Sequence, residues 1–347
     1  MNATARAQFL AWTDCLLDEA RSPGEQLAAA RAWCAWGLRH CGFDELEAAL
    51  RGDPFCADTT LPAGRAISPL AAARCVWEYQ RTAVFLRAVE AAIRAAQARF
   101  PGETIHVLEA GCGPLAPFAL AMAARFPADE VQFSLLDFHP EALDGARRLA
   151  EELGVASSLR ALLAADATTV RLAESERPHV IVCEVLLRAL KGEPQVAATL
   201  NLAPQLREGG GFVPERIDVV AGFAERDSVS ELGARRVVEL GPVFSLDAAQ
   251  VGTWRPLADG RYAANSVVVP PHAPGRLELF TRIAAFGRHR LGDFESSLNM
   301  PERVTLTAGR AELGGVVEFS YEVSSRPGLR WVESTGADLD APGQSVR

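Results

Sequence analysis

Ile105-His106-Val107-Leu108-Glu109-Ala110-Gly111-Cys112-Gly113-Pro114-Leu115-Ala116 is an apolar run that breaks into a glycine turn, and Pro117-Phe118-Ala119-Leu120-Ala121-Met122-Ala123-Ala124 continues it with a helix pattern. The reading is strand, tight loop, helix. Gly111 can take a positive φ without a Cβ penalty, and Gly113 lets the backbone come close to a ligand at the positive end of the next helix. A nucleotide-like ligand suits such a turn.

Two cofactor classes use it, because Gly111, Gly113 and Ala116 also fit the dinucleotide pattern with alanine in place of its third glycine. Glu109 tips the choice. An acid two residues before the first glycine offers nothing to a phosphate but would suit an ammonium group. Downstream, Val131-Gln132-Phe133-Ser134-Leu135-Leu136-Asp137 reads as a second strand ending in an acid placed to accept two ribose hydroxyls. Leu163-Ala164-Ala165-Asp166-Ala167 closes a further apolar segment, where Asp166 can accept from an adenine amine. The series "VLEAGCG", "LLD", "AADA" resembles the successive cofactor motifs of the class I S-adenosylmethionine-dependent methyltransferases. Residue by residue, the resemblance implies S-adenosyl-L-methionine as cofactor. Glu109, Gly111 and Gly113 would neighbour its methionine part, with Asp137 at the ribose and Asp166 at the adenine.

With 347 residues the chain is long enough for two or three domains, and its apolar content supports a buried core. Its 35 Lys and Arg against 44 Asp and Glu give a net charge of -9, which disfavours broad attraction to nucleic acid or anionic lipid and suits a cationic substrate. The seven cysteines fall between Cys15 and Cys183 without paired metal-ligand spacing, so reduced thiols, a cytoplasmic setting and no metal site are expected. No signal-peptide core or bilayer-length apolar run occurs.

From residue 1 to about Gly102 the periodicity reads as helices only, with Phe9, Trp12 and Leu16 on one face and Leu27, Ala30, Cys34 and Leu38 on another. Trp12, Trp33 and Trp36 are expected to be packing residues. The last helix is expected to start at Ser68 as N-cap with Pro69 first inside it, and to run to about Arg99. Its apolar stripe is Trp77, Val84, Phe85, Ala88, Ala92 and Ala96. Arg81 falls on the same stripe, so its guanidinium needs an anion, either a carboxylate of the protein or that of a bound cofactor's methionine.

Pro178 to Leu187 reads as a buried parallel strand interrupted by one acid, Glu184, which sits where open α/β sheets place their ligands. Nine residues on stands Glu193, followed by a helix-like stretch from Val196 to Leu206. Two carboxylates on one short loop can grip a guanidinium through parallel charge-assisted bonds. The loop "CEVLLRALKGEP" resembles the paired-glutamate loop of the protein arginine N-methyltransferases, and "LREGGGFVPERIDVVAG" resembles the turn and strand after it. Arg81, in "YQRTAVFLRAV", lies where that family carries its cofactor-carboxylate arginine. The resemblance implies Glu184 and Glu193 as catalytic residues and Arg81 as a cofactor ligand.

After Glu225 the period becomes strand-like: Arg235 to Leu240, Asn265 to Val269, Leu277 to Phe286, Val304 to Leu306 and Val316 to Val323. The family also carries a β-barrel here, whose threonine-histidine-tryptophan loop reaches the active site; the nearest counterpart, Thr281-Arg282-Ile283, lacks the His and Trp. The expected architecture is α/β: an N-terminal helical domain (1–101), a Rossmann-like cofactor domain (102–224), a C-terminal β-barrel or sandwich (225–333) and a disordered tail (334–347). The expected activity is methyl transfer to an arginine or other cationic nitrogen of a protein or peptide. A small molecule or peptide natural product is the alternative acceptor, and a homodimer stays open. An oxidoreductase is disfavoured by Glu109 and by the lack of an evident Tyr-Lys or His pair, and a cofactor-free scaffold by the intact acids.

Overall fold

The computed structural model describes residues 3–43, 54–229, 235–273, 276–307 and 314–334. Helices α1 (Ala3–Leu17) and α2 (Pro23–His40) open it. The break between them is fixed by a capping box, in which the Ser22 hydroxyl accepts from the Glu25 amide while the Glu25 carboxylate takes the Ser22 N–H. The tryptophans are packing residues as expected: Trp33 meets Phe9 edge-on at 5.4 Å, and Trp36 joins them.

The stretch to Gly102 is not helical throughout. β1 (Thr59–Leu61) and β2 (Gly64–Ala66) form an antiparallel hairpin, folded at Pro62-Ala63. The hairpin is held from outside: the Arg65 N–H donates to the Gly192 carbonyl at 2.9 Å, and a Cβ on Gly64 would fall 2.9 Å from the Pro194 nitrogen. Nor is the next helix continuous. α3 (Pro69–Arg74) starts at the expected Ser68 cap, but a 3-10 turn over Cys75–Trp77 intervenes before α4 (Tyr79–Arg99). The break is stabilised at Glu78, whose carboxylate takes the Ser297 N–H and hydroxyl instead of continuing a helix face, and at Thr82, whose hydroxyl donates to the Val76 carbonyl. Trp77 is consequently turned off the expected stripe and is 42% exposed, whereas Arg81, Phe85, Ala88, Ala92 and Ala96 are buried.

Seven elements follow: β3 (Ile105–Ala110), α5 (Pro117–Ala123), β4 (Val131–Asp137), α6 (Pro140–Leu153), β5 (Leu159–Ala164), β6 (Val180–Cys183) and α7 (Gln195–Leu202), closed by β7 (Gly211–Val213). The strands form one parallel sheet in the order β5-β4-β3-β6-β7. The chain winds outward from β3 through β4 to β5 and then crosses to β6, so the loops after β3 and β6 part at a topological switch point.

The C-terminal part comprises β8 (Arg216–Val229), β9 (Arg235–Asp247), β10 (Tyr262–Val269), β11 (Glu278–Phe286), β12 (His289–Leu291), β13 (Glu302–Arg303), β14 (Gly315–Glu322) and β15 (Gly328–Ser334). One antiparallel sheet runs β12-β11-β8-β9 with β13 on β11, and a second runs β10-β14-β15. They pack through Phe244 of β9 stacked on Tyr321 of β14 at 5.0 Å. β9 runs on past the expected Leu240 to Asp247 and β10 begins at Tyr262 before the expected Asn265, and three further boundaries differ from expectation. β8 pairs with β11 from Arg216 onward, so the β-domain begins before 224; Val304 to Leu306 continues β13 without strand pairing; and Ser334 closes β15, paired with Val316, while 335–347 lie outside the described residues.

Gly111 is the position where the fold depends on a missing side chain. Its φ is +73°, and a Cβ there would stand 2.2 Å from Val185 Cγ1, in the loop after β6. Gly111→Ala should therefore lose at least about 1 to 2 kcal/mol of stability in urea unfolding. An unchanged midpoint would mean the two loops do not meet as described.

Candidate functional site

The glycine turn leaves β3 with the Gly111 N–H donated to the Leu136 carbonyl at 2.8 Å. Glu109, buried at the end of β3, was expected to meet a ligand's ammonium group. It borders the cleft, and its carboxylate takes the first amides of α5, accepting the Ala119 N–H at 2.6 Å and the Phe118 N–H at 3.5 Å. A negative charge is favourable there, since the leading amides of a helix have no partner within it. Burial nevertheless pushes the Glu109 carboxyl up to about 8, with the two amides opposing. Asp137, at the end of β4, accepts the Gly113 N–H at 2.8 Å and the His139 N–H at 2.9 Å. Gly113 thus presents its amide to Asp137 and stands outside the cleft lining. Asp166 accepts the Thr168 N–H at 2.8 Å, closing a turn after β5.

β6 delivers Glu184 opposite Arg81 of α4. The Arg81 Nε donates to Glu184 Oε2 at 3.0 Å, and Nη2 donates to the same oxygen, with Glu78 3.8 Å from Nη1. The other Glu184 oxygen, Oε1, is buried without a hydrogen-bond partner. Burial works against the charge on Arg81, but Glu184, Cys75 and Glu78 together raise the guanidinium pKa. Burial likewise raises Glu184 while Arg81 pulls it back. Glu193 is 8% exposed, and burial together with the neighbouring Glu184 pushes its carboxyl up to about 7. Between 4.5 and 7 the folded chain therefore holds a proton that the unfolded chain has released, and this contribution to stability falls as pH rises through that window.

One cleft joins these groups. Arg81, Glu109, Gly111, Asp137, Asp166, Glu184 and Glu193 all border it, within about 1290 Å³ of space that includes its open mouth. The sequence reading missed several other walls: Leu61 and Arg65 of the hairpin, Phe138 and His139 after β4, and Ser297 with Leu298 from the β-domain. Phe138 carried a readable signal, an aromatic directly after the strand-end acid. The hairpin and Ser297 carried none, because tertiary contacts bring them in. Thr281-Arg282-Ile283 does not reach the cleft. Thr281 is fully buried with its hydroxyl accepting the Ala189 N–H at 2.7 Å, and Arg282 is held by Glu239 and Asp293. Among the described residues no cluster of His, Cys, Asp or Glu is arranged to hold a metal, and no helix is long and apolar enough to cross a membrane.

A parallel sheet with a glycine turn at its switch point, followed by an antiparallel β-domain that walls the same cleft, defines a Rossmann-like two-part α/β protein. No protein-family model matches the chain, and no curated protein sequence matches it. Among solved structures it is similar to the Trypanosoma brucei PRMT1 enzyme-prozyme heterotetrameric complex with AdoHcy, at 13% identity over 75% of this chain and 92% of that one, with a TM-score of 0.45. It is also similar to PRMT6 with SAH, at 9% identity over 72% of this chain and 96% of that one, with a TM-score of 0.42.

Removing one partner of a buried ion pair leaves the other charge stranded. Arg81→Met should cost about 3 to 5 kcal/mol at about pH 8 and less at about pH 5, where the orphaned Glu184 can take up a proton. Arg81→Met with Glu184→Met should recover most of the loss. Urea titrations at both pH values check this, and an equal loss at the two pH values would show that Glu184 is not the group left behind.

Proposed function

We propose that this chain is an S-adenosylmethionine-dependent methyltransferase acting on an arginine or other cationic nitrogen of a protein or peptide. The observation that carries the reading is the acid pair: Glu184 and Glu193 border one cleft beside the glycine turn, and Glu184 keeps a buried oxygen without a partner. An unsatisfied buried acceptor costs free energy, and a donor from a bound cation relieves that cost.

The residues present fit the cofactor. Asp137 and Asp166 each retain carboxylate acceptor capacity on the cleft for ribose hydroxyls and an adenine amine, and Phe138 offers an apolar face beside them. Arg81 would hold the carboxylate of the methionine part, and Gly111 borders the cleft at the turn. When bound, the cofactor supplies an electrophilic methyl group. The protein's share is to orient the acceptor and exclude water. Glu184 and Glu193 accept the N–H groups of the incoming guanidinium or amine and localise its charge, leaving one nitrogen with its lone pair toward the methyl, while the proton that this nitrogen sheds passes to ionised Glu193 or to water at the cleft mouth. Leu61 and Leu298 give the cleft apolar walls.

A methyl acceptor of small-molecule or peptide natural-product type is the second reading. It is favoured by Thr281-Arg282-Ile283, the nearest counterpart of the resembled family's threonine-histidine-tryptophan loop, which lacks the His and Trp and does not border the cleft.

Calorimetric titration with S-adenosylhomocysteine and with NAD tests the cofactor, and Asp137→Ala should weaken binding of the former about tenfold or more. Unchanged affinity in the folded variant would remove Asp137 from the ribose.

An acceptor screen tests the rest. With a cationic acceptor, turnover should rise as pH passes about 7, where Glu193 gives up its proton. Glu193→Gln should abolish that rise, and Glu184→Gln should lower turnover by about 100-fold while sparing S-adenosylhomocysteine binding. Near wild-type turnover in both variants would leave methyl transfer without an acid-pair grip.

A further inference from the structure

We propose that Tyr321, together with Thr281, is a positioning residue for the acceptor side of the cleft: from the β-domain the two hydroxyls hold the turn Ala189-Leu190 in left-handed form and so set Glu193 against Glu184. The inference rests on the reading of those acids as the cation grip. Ala189 and Leu190 have φ of 54° and 55°. For residues with a Cβ this conformation is disfavoured, and it persists only where the surroundings over-determine it.

The surroundings do so from outside the loop. The Ala189 N–H donates to the Thr281 hydroxyl at 2.7 Å, and the Tyr321 O–H donates to the Leu190 carbonyl at 2.6 Å. Beyond the turn, the Gly192 N–H donates to the Pro327 carbonyl and the Gly192 carbonyl accepts from Arg65, both at 2.9 Å. Tyr321 and Thr281 are fully buried, and neither borders the cleft, so they touch no ligand there. The Tyr321 ring is fixed by its stack on Phe244, and burial raises its phenol so that it remains a donor. Only Lys191 and Gly192 separate Leu190 from Glu193, too few to absorb a change of turn. The loop's cations are also held away from the acids, since Arg188 and Lys191 both pair with Glu302.

The charged and titratable groups facing Glu193 are Glu184, Arg81 and Cys75 on the sheet and helix side, and Arg65 and Asp58 from the hairpin side. If the turn relaxes, Glu193 moves away from Glu184 toward water and its ionisation becomes ordinary. Carboxyl-carbon NMR of glutamate-labelled protein reads this without any acceptor. In Tyr321→Phe, which keeps the ring and its stack, the Glu193 midpoint should fall from about 7 toward 4.5. Thr281→Val should do the same, and Thr281→Ser should restore the wild-type midpoint. An unchanged midpoint in both Tyr321→Phe and Thr281→Val overturns the proposal; should Tyr321→Phe fail to fold, the Thr281 pair decides alone. Binding of N-acetyl-arginine amide in the presence of S-adenosylhomocysteine separates this from the functional reading. Its affinity should weaken about tenfold in Tyr321→Phe and in Glu193→Gln. A shifted midpoint with unaltered binding in both variants would support the placement of Glu193 and overturn the cation grip.

Discussion

Arg81 meeting Glu184 inside the protein is the contact on which the arrangement depends. Each charge alone would be expensive to bury, so the pair fixes where α4 can lie relative to β6. The position of Arg81 is set in turn by the interruption at Cys75–Trp77, which gives α4 its own start. At that start Glu78 faces Arg81 on one side and binds Ser297 on the other, linking the helix to a wall supplied by the β-domain. Parallel sheet, N-terminal helices and β-domain therefore converge within a few residues of one ion pair.

The cleft is acidic, but its acids are not equivalent. Glu109 and Asp137 are engaged by backbone amides: Glu109 caps α5, and Asp137 joins the glycine turn to the loop after β4. They shape the floor and keep the Gly111 turn in register with the sheet. Glu184 and Glu193 are more weakly satisfied. One has an oxygen without a partner, and the other has its ionisation displaced by burial and by its neighbour. Polar groups left short of partners inside a protein are costly, and they mark the place where a ligand's donors would return most free energy.

The strand-turn-helix at Ile105–Ala124, the strand Val131–Asp137 and the acids that end the strands were legible because local pattern decides them. β3 is buried along its whole length, and hydrophobic runs bounded by glycine or acid leave little choice of register. Other features were not legible. The hairpin at Thr59–Ala66 is short and weakly patterned, and it forms against Gly192 and Pro194 from far along the chain. The helix break at Cys75–Trp77 sits in a stretch of good helical periodicity and is decided by Ser297, more than 200 residues away. The boundary near 224 failed for the same reason. β8 carries one continuous strand pattern, and only its partner β11 tells that it belongs to the β-domain.

Spacing along the chain could place Glu184 and Glu193 on one loop, but it could not say that they share a cleft wall. A loop crossing residues 185–192 has many conformations, and the one observed includes a left-handed pair that its own sequence disfavours. The conformation is chosen by contacts with elements that differ in both sequence position and domain: Thr281, Tyr321, Glu302 and Pro327 from the β-domain, and Arg65 from the hairpin. The acids come from the parallel sheet while their mutual placement comes from the antiparallel one. A Rossmann-like unit separated from its β-domain would keep the strand-end acids yet lose the anchors that bring the second acid to the first. In this chain the β-domain is thus part of the cleft's chemistry even where its side chains never touch the cavity.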